Sequence, residues 1–111
     1  MNFQLSQSEF YILLSLAIKS RHGYEIMKQV EQDTSGQVQL GPGTLYGSIK
    51  RLVQSELISE VAGDDRRRKY YALTEEGRRS LTSELSRYND AVELAKQHDL
   101  LQNFGSFRLA L

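Results

Sequence analysis

The polar and apolar positions along the chain fall into segments of two different periods. After Ser6-Gln7-Ser8-Glu9, apolar side chains recur at helical spacing at Tyr11, Leu14, Ala17 and Ile18, with Leu13 and Leu16 widening the stripe. The opening tetrad has the S-x-x-E form of a capping box, in which Ser6 caps the helix and Glu9 reaches back. A first helix to about Ser20 is predicted. A second covers "RHGYEIMKQVEQDTSG", with Tyr24, Met27 and Val30 on one side and Gly36 ending it. "QVQL", Gln37 to Leu40, then alternates polar and apolar, which predicts a very short strand.

Pro42 suits the first turn of a third helix, where its missing N–H costs nothing, and Thr44 is an alternative N-cap. Leu45, Ile49, Leu52 and Val53 form its buried stripe. Further on, "LISEVA" and "KYYAL" bracket Gly63-Asp64-Asp65-Arg66-Arg67-Arg68, a β-hairpin signal with arginines in or beside the turn. Alternation in the first strand is imperfect, so its register stays open by one residue. Tyr71 shares a strand face with Leu73 and is assigned to the core. Thr74 caps a final helix, with Glu75 and Glu76 at its positive end. Leu81, Leu85, Tyr88, Val92 and Ala95 are then spaced 4, 3, 4, 3, a heptad seam. That helix would run about 24 residues, roughly 36 Å, longer than the rest of so small a domain can cover. The seam therefore predicts a homodimer. The apolar tail "LLQNFGSFRLAL", with Leu100, Leu101, Phe104 and Phe107, either packs against Tyr11 and Leu14 of the same or a partner subunit or stays partly disordered; Phe104 and Phe107 are counted with the interface.

Composition narrows the functional classes. At 111 residues the chain suits one domain with a single modest core. The formal net charge is zero, but its distribution is uneven: residues 41–79 carry eight cations against six acids, and Arg66, Arg67, Arg68 and Lys69 are consecutive. No cysteine is present, which excludes disulfides and thiolate zinc sites. His22 and His98 have no ligand-spaced partners, and neither a nucleophile elbow nor a glycine-rich phosphate loop occurs. No metal, cofactor or catalytic residue is expected. The longest apolar run, Phe10 to Ile18, is well short of the roughly 20 residues a membrane span needs. A cytoplasmic protein with no membrane partner is expected.

Helix, helix, short strand, helix and hairpin is the order of a winged helix-turn-helix, with the third helix as recognition element and the hairpin as wing. Gly47, Lys50, Arg51 and Gln54 lie away from the Leu45/Ile49/Leu52 stripe, and Ser48 is read as facing outward beside Gly47. Small residues and cations together on an outer face suit close approach of a polyanion. The predicted fold is mainly α, with a two-stranded β wing and a long C-terminal dimerisation helix. Residues 1–74 would form the DNA-binding domain, and residues 75–111 the dimerisation helix and tail.

Three blocks, "HGYEI" (22–26), "GTLYGSIKRLVQSELI" (43–58) and "RRKYYALTEEG" (67–77), together resemble the PadR family of bacterial transcriptional regulators. The resemblance covers about residues 8–90. It implies a homodimeric winged-helix protein that binds an operator in double-stranded DNA, usually a repressor, released by a small effector. By position, Thr44, Tyr46 and Lys50 fall where that family's recognition helix meets DNA. Tyr24 falls in the second helix near the DNA backbone, and Arg67, Arg68 and Lys69 in the wing. Gly47 departs from the family, which often has proline or another residue there, and the short C-terminus looks like the subfamily without a large C-terminal domain. Two rivals stand beside this reading. A winged helix used only for protein–protein contact would call for an apolar or acidic recognition face, and a regulator of the MarR type would need extra helices at both ends.

Overall fold

The computed structural model describes residues 4–101. In chain order they form helix α1 (Gln7–Ile18), strand β1 (Arg21–His22), helix α2 (Gly23–Asp33), helix α3 (Pro42–Gln54), strands β2 (Ile58–Val61) and β3 (Tyr70–Leu73), and helix α4 (Glu75–Gln97). The strands make one antiparallel sheet in the order β1-β3-β2. The chain divides into two compact units, residues 1–81 and 82–111.

Local chemistry sets the helix ends. At α1 the capping box is complete: Ser6 Oγ accepts the Glu9 N–H at 3.2 Å, and Glu9 Oε1 accepts the Ser6 N–H at 2.8 Å. Near its other end, buried Arg21 donates from Nε to the Ser15 carbonyl at 2.8 Å, satisfying an acceptor of the last turn with a cation. Helix α3 starts on Pro42 with Gly41 as its N-cap, so Thr44 is not the cap. Thr74 does cap α4, its Oγ1 accepting the Gly77 N–H at 2.9 Å.

The buried side of α1 differs from the stripe read off the sequence. Phe10, Ile12, Leu13 and Leu16 are buried, whereas Tyr11, Leu14 and Ala17 are half-buried and Ile18 is 69% exposed. Helix α1 packs against α2, α3 and β3, so most of its circumference needs apolar residues and no single stripe marks the inner face. Similarly, Tyr24 stands exposed while Ile26 and Val30 carry the buried side of α2. The remaining core comes from Leu45, Ile49 and Leu52 of α3, Leu57 and Ile58, Tyr71, and Leu81. Tyr71 is in the core as expected, and burial above all pushes its phenol pKa up.

Residues 37–40 are not a strand. Thr34 closes a turn there, donating to the Val30 carbonyl and accepting the Val38 N–H, both at 2.9 Å, and Leu40 then drops into the core. The third strand is instead β1. Its register pairs Arg21 with Tyr71 and His22 with Tyr70, while β2 pairs Ile58 with Leu73 and Val61 with Tyr70. Strand β3 is thus central, and the residues just ahead of α2 are stitched to the hairpin.

Leu81, read as the first position of the heptad seam, is buried in the core of the first unit. In the second unit Leu85, Tyr88 and Val92 are 41%, 48% and 43% exposed, and Ala95 is half-buried. The Tyr88 hydroxyl donates to Glu84 Oε2 at 3.0 Å, and Arg87 pairs with the same carboxylate. Phe104 and Phe107 lie outside the described residues.

Candidate nucleic-acid interface

A cleft of about 380 Å³ opens where α2, α3 and the hairpin meet, lined by His22, Gly23, Tyr24, Tyr46, Arg67, Arg68, Lys69 and Tyr71. Five residues singled out in the sequence, Tyr24, Tyr46, Arg67, Arg68 and Lys69, are therefore neighbours in space. Tyr24 and Tyr46 are about half exposed. The cleft also contains the start of α2, whose first-turn N–H groups carry partial positive charge.

Gly23 shapes this cleft. A Cβ there would sit 2.6 Å from the Tyr46 hydroxyl, so any side chain at position 23 would displace that phenol from the start of α2. His22 caps α2, its Nδ1 accepting the Glu25 N–H at 3.3 Å while its own N–H reaches Glu25 Oε1 at 3.1 Å. Arg68 Nη1 lies 3.4 Å from the same ring nitrogen, and Tyr70 meets the imidazole edge-on with ring centres 5.3 Å apart.

The wing's arginines are organised by one carboxylate. Asp65 Oδ1 accepts the Arg67 backbone N–H at 2.9 Å and faces Arg67 Nε at 3.3 Å, while Oδ2 is 3.4 Å from Arg68 Nε. Those contacts, the Arg67 backbone bond first, hold the Asp65 carboxyl below the usual carboxylate range. The Asp65 N–H in turn donates to Tyr70 Oη at 3.3 Å, and the Tyr70 ring fills the space where Gly63 would carry a side chain. Arg66 and Lys69 are exposed.

On α3, Thr44, Tyr46 and Lys50 are exposed and Gly47 is half-buried. Ser48 corrects the reading of an outward small residue: it is fully buried, and its hydroxyl accepts from Arg51 Nη2 at 3.2 Å. Arg51 is exposed along much of its length, but its Nε lies 3.3 Å from Glu9 Oε2.

Sequence reasoning missed two contributors, Gly23 and Asp65. Only Asp65 carried a local signal, since aspartate two residues before Arg67 is the spacing of a side-chain-to-backbone turn.

Three helices with a hairpin wing, and a cationic, aromatic cleft between them, define a winged helix-turn-helix. The chain belongs to the PadR-like family of transcriptional regulators, whose family model matches residues 12–83. It is 32% identical over 87 residues to the uncharacterized protein X of Lysinibacillus sphaericus, a match spanning 75% of this chain and 80% of that one. Among solved structures it is similar to a PadR family transcription regulator from Clostridium difficile R20291, with 29% identity, a TM-score of 0.72, and coverage of 84% of this chain and 98% of that one. RosR of Halobacterium salinarum shares the fold at 24% identity and a TM-score of 0.69 over 96% of both chains. The family is one of DNA-binding regulators, not of enzymes. Among the described residues, no helix is long and apolar enough to cross a membrane.

Proposed function

We propose that this protein is a cytoplasmic homodimer that binds a palindromic operator and represses transcription until a small hydrophobic or aromatic effector releases it. The observation that carries DNA contact is the cleft gathering Tyr24, Tyr46, Arg67, Arg68 and Lys69 beside the start of α2. Cations, phenolic hydroxyls and backbone N–H groups all suit phosphate oxygens. Thr44, Tyr46 and Lys50 project from the recognition helix toward base edges, and Arg66 extends the wing's cationic run. Two copies joined along the seam of Leu85, Tyr88 and Val92 present two recognition helices to half-sites about 34 Å apart. An effector lodged between subunits near Tyr88 would act by favouring one spacing of those helices.

The test is to sequence the genomic fragments that the protein retains and to measure the salt dependence of binding to one of them. Recovery of a shared palindromic site is expected. Changing Arg67 and Arg68 together to alanine should weaken binding to that site and to random duplex alike, and should reduce the salt slope by about one per lost phosphate contact. An unchanged slope would remove the wing from the contact surface.

The approach of DNA to α3 has a separate test. A Cβ on Gly47 would meet only Arg51 Nη1, at 3.7 Å, so the fold leaves room for a side chain there. Gly47→Leu should keep the melting temperature or raise it, because leucine is the better helix former by about 0.5–1 kcal/mol, yet abolish operator binding. Normal binding by a folded Gly47→Leu protein would mean that DNA does not come close to this face.

A further inference from the structure

We propose that Arg51, although it stands on the recognition helix beside Lys50, is a positioning residue that sets the rotation of α3 on α1 and makes no DNA contact. The inference rests on the DNA-binding reading above. Its observation is a polar tie spanning 42 residues of sequence: Arg51 Nε lies 3.3 Å from Glu9 Oε2, and Arg51 Nη2 donates to the buried Ser48 hydroxyl at 3.2 Å. The Glu9 side chain is only 10% exposed. Its second oxygen, Oε1, closes the capping box of α1 by accepting the Ser6 N–H at 2.8 Å. One carboxylate thus anchors the start of one helix and the middle of another.

The rest of the α1–α3 contact is apolar, through residues such as Leu13, Leu16, Leu45 and Leu52. Close packing of those side chains sets how the two helices lie against each other. The Arg51–Glu9 contact, 3.3 Å long, adds a directional restraint at the edge of that packing. The rotation of α3 matters at the outer face. A roll of about 20° displaces a point on the helix surface, roughly 5–6 Å from the axis, by about 2 Å. A shift of about 2 Å exceeds the whole range of lengths over which a hydrogen bond between Tyr46 or Lys50 and a base edge could survive. Two of Arg51's donors are also directed inward, toward Glu9 and Ser48, rather than outward to a phosphate. Lys50, exposed, has no ion-pair partner among the described residues.

The experiment compares Glu9→Gln, Arg51→Ala and the double variant, with Lys50→Ala as reference, on a retained genomic fragment and on random duplex of equal length. Glutamine at position 9 keeps the capping box, which accepts either Glu or Gln, and removes the charge that holds Arg51. Each of Glu9→Gln and Arg51→Ala should lower affinity for the retained fragment by about tenfold, the loss of one good base contact. Random-duplex affinity and its salt slope should stay unchanged, and the double variant should lose no more than Arg51→Ala alone. Lys50→Ala, which removes a cation from the contact surface itself, should instead reduce the salt slope, by up to about one per subunit. All are measured well below the melting temperature of the least stable variant, and should Arg51→Ala not fold, Glu9→Gln carries the comparison. A reduced salt slope in Arg51→Ala, additive losses, or a Glu9→Gln protein with normal fragment affinity overturns the assignment while leaving DNA binding intact. Failure of the wild-type protein to bind either duplex overturns the DNA reading itself, and the positioning role with it.

Discussion

Replacing Gly77 with alanine is expected to cost the first unit about 3 kcal/mol, the upper end for overpacking and a large share of the roughly 5–15 kcal/mol that ordinarily holds a domain together. Gly77 is the third residue of α4, where the helix crosses the end of the hairpin. A Cβ there would lie 2.0 Å from the Leu57 carbonyl oxygen and 2.8 Å from Leu73 Cδ1. Neither neighbour is free to retreat. The Leu57 carbonyl accepts the Thr74 N–H at 3.1 Å, its own N–H donates to Leu52 at 2.9 Å, and its side chain is buried. Relief requires α4 to lift, which would also strain the Thr74 hydroxyl bond to the Glu56 carbonyl, now 2.7 Å. Thermal unfolding reads the result: the melting temperature should fall by roughly 15 °C or more, at about 4–8 °C per kcal/mol for a domain of this size. Gly43→Ala is the control, because no atom lies within 4 Å of its missing Cβ, and that variant should melt no lower than wild type. A Gly77→Ala protein melting within a few degrees of wild type would show that the first turn of α4 yields more easily than these bonds imply.

For the homodimer proposed above, Leu85→Asp should leave a folded monomer and reduce affinity for a two-half-site operator by about a hundredfold. Leu85 is 41% exposed in the single chain and lies in line with Tyr88 and Val92. Its role in the fold of one chain is therefore small, and an aspartate there remains hydrated until a second copy covers it. In the seam the carboxylate would be buried without a partner, and that cost opposes association. Two linked recognition helices exceed one by about 10²–10⁴ in affinity, and dissociation forfeits that factor. Sedimentation and operator titration are read side by side. A dimer of normal mass and stability would place the interface elsewhere than this seam.

Much of this architecture was legible because its signals are local. The Ser6/Glu9 box, Pro42 in the first turn and the Thr74 cap each act within a few residues, and each stands where the sequence places it. The hairpin announced itself by two apolar runs around a Gly-Asp-Asp turn. What escaped is what another part of the chain decides. Strand β1 is two residues long and exists only because β3 lies beside it. Residues 37–40 alternate as a strand does, yet Val38 and Leu40 are held by a threonine turn and the core, with no neighbouring strand to pair. Leu81 obeys the heptad but belongs to the core, since periodicity cannot tell which body covers a face.

The candidate site divides along the same line. Tyr24, Tyr46, Arg67, Arg68 and Lys69 were nominated by their places in the family resemblance, the arginines also by their run of charge, and they line one cleft. Ser48 was misplaced because a helical wheel puts it near the boundary between faces, and its inward hydroxyl depends on Arg51. Arg51 in turn looked like any solvated cation, because its anion lies 42 positions earlier. Such long-range pairings leave no mark in a local window.

Strand β1 has a mechanical consequence. It ends at His22, the cap of α2, and is sewn to β3, which carries the wing, while Arg68 and Tyr70 reach across to the same imidazole. The start of α2 and the wing are therefore tied into one jaw rather than left as two fingers. On the proposed DNA-binding reading, such a jaw would favour a duplex of one local width and make any other width bend to fit. Stiff and pliant base steps differ in what that bending costs by up to several kcal/mol, so the tool would discriminate among sequences at positions none of its side chains touch.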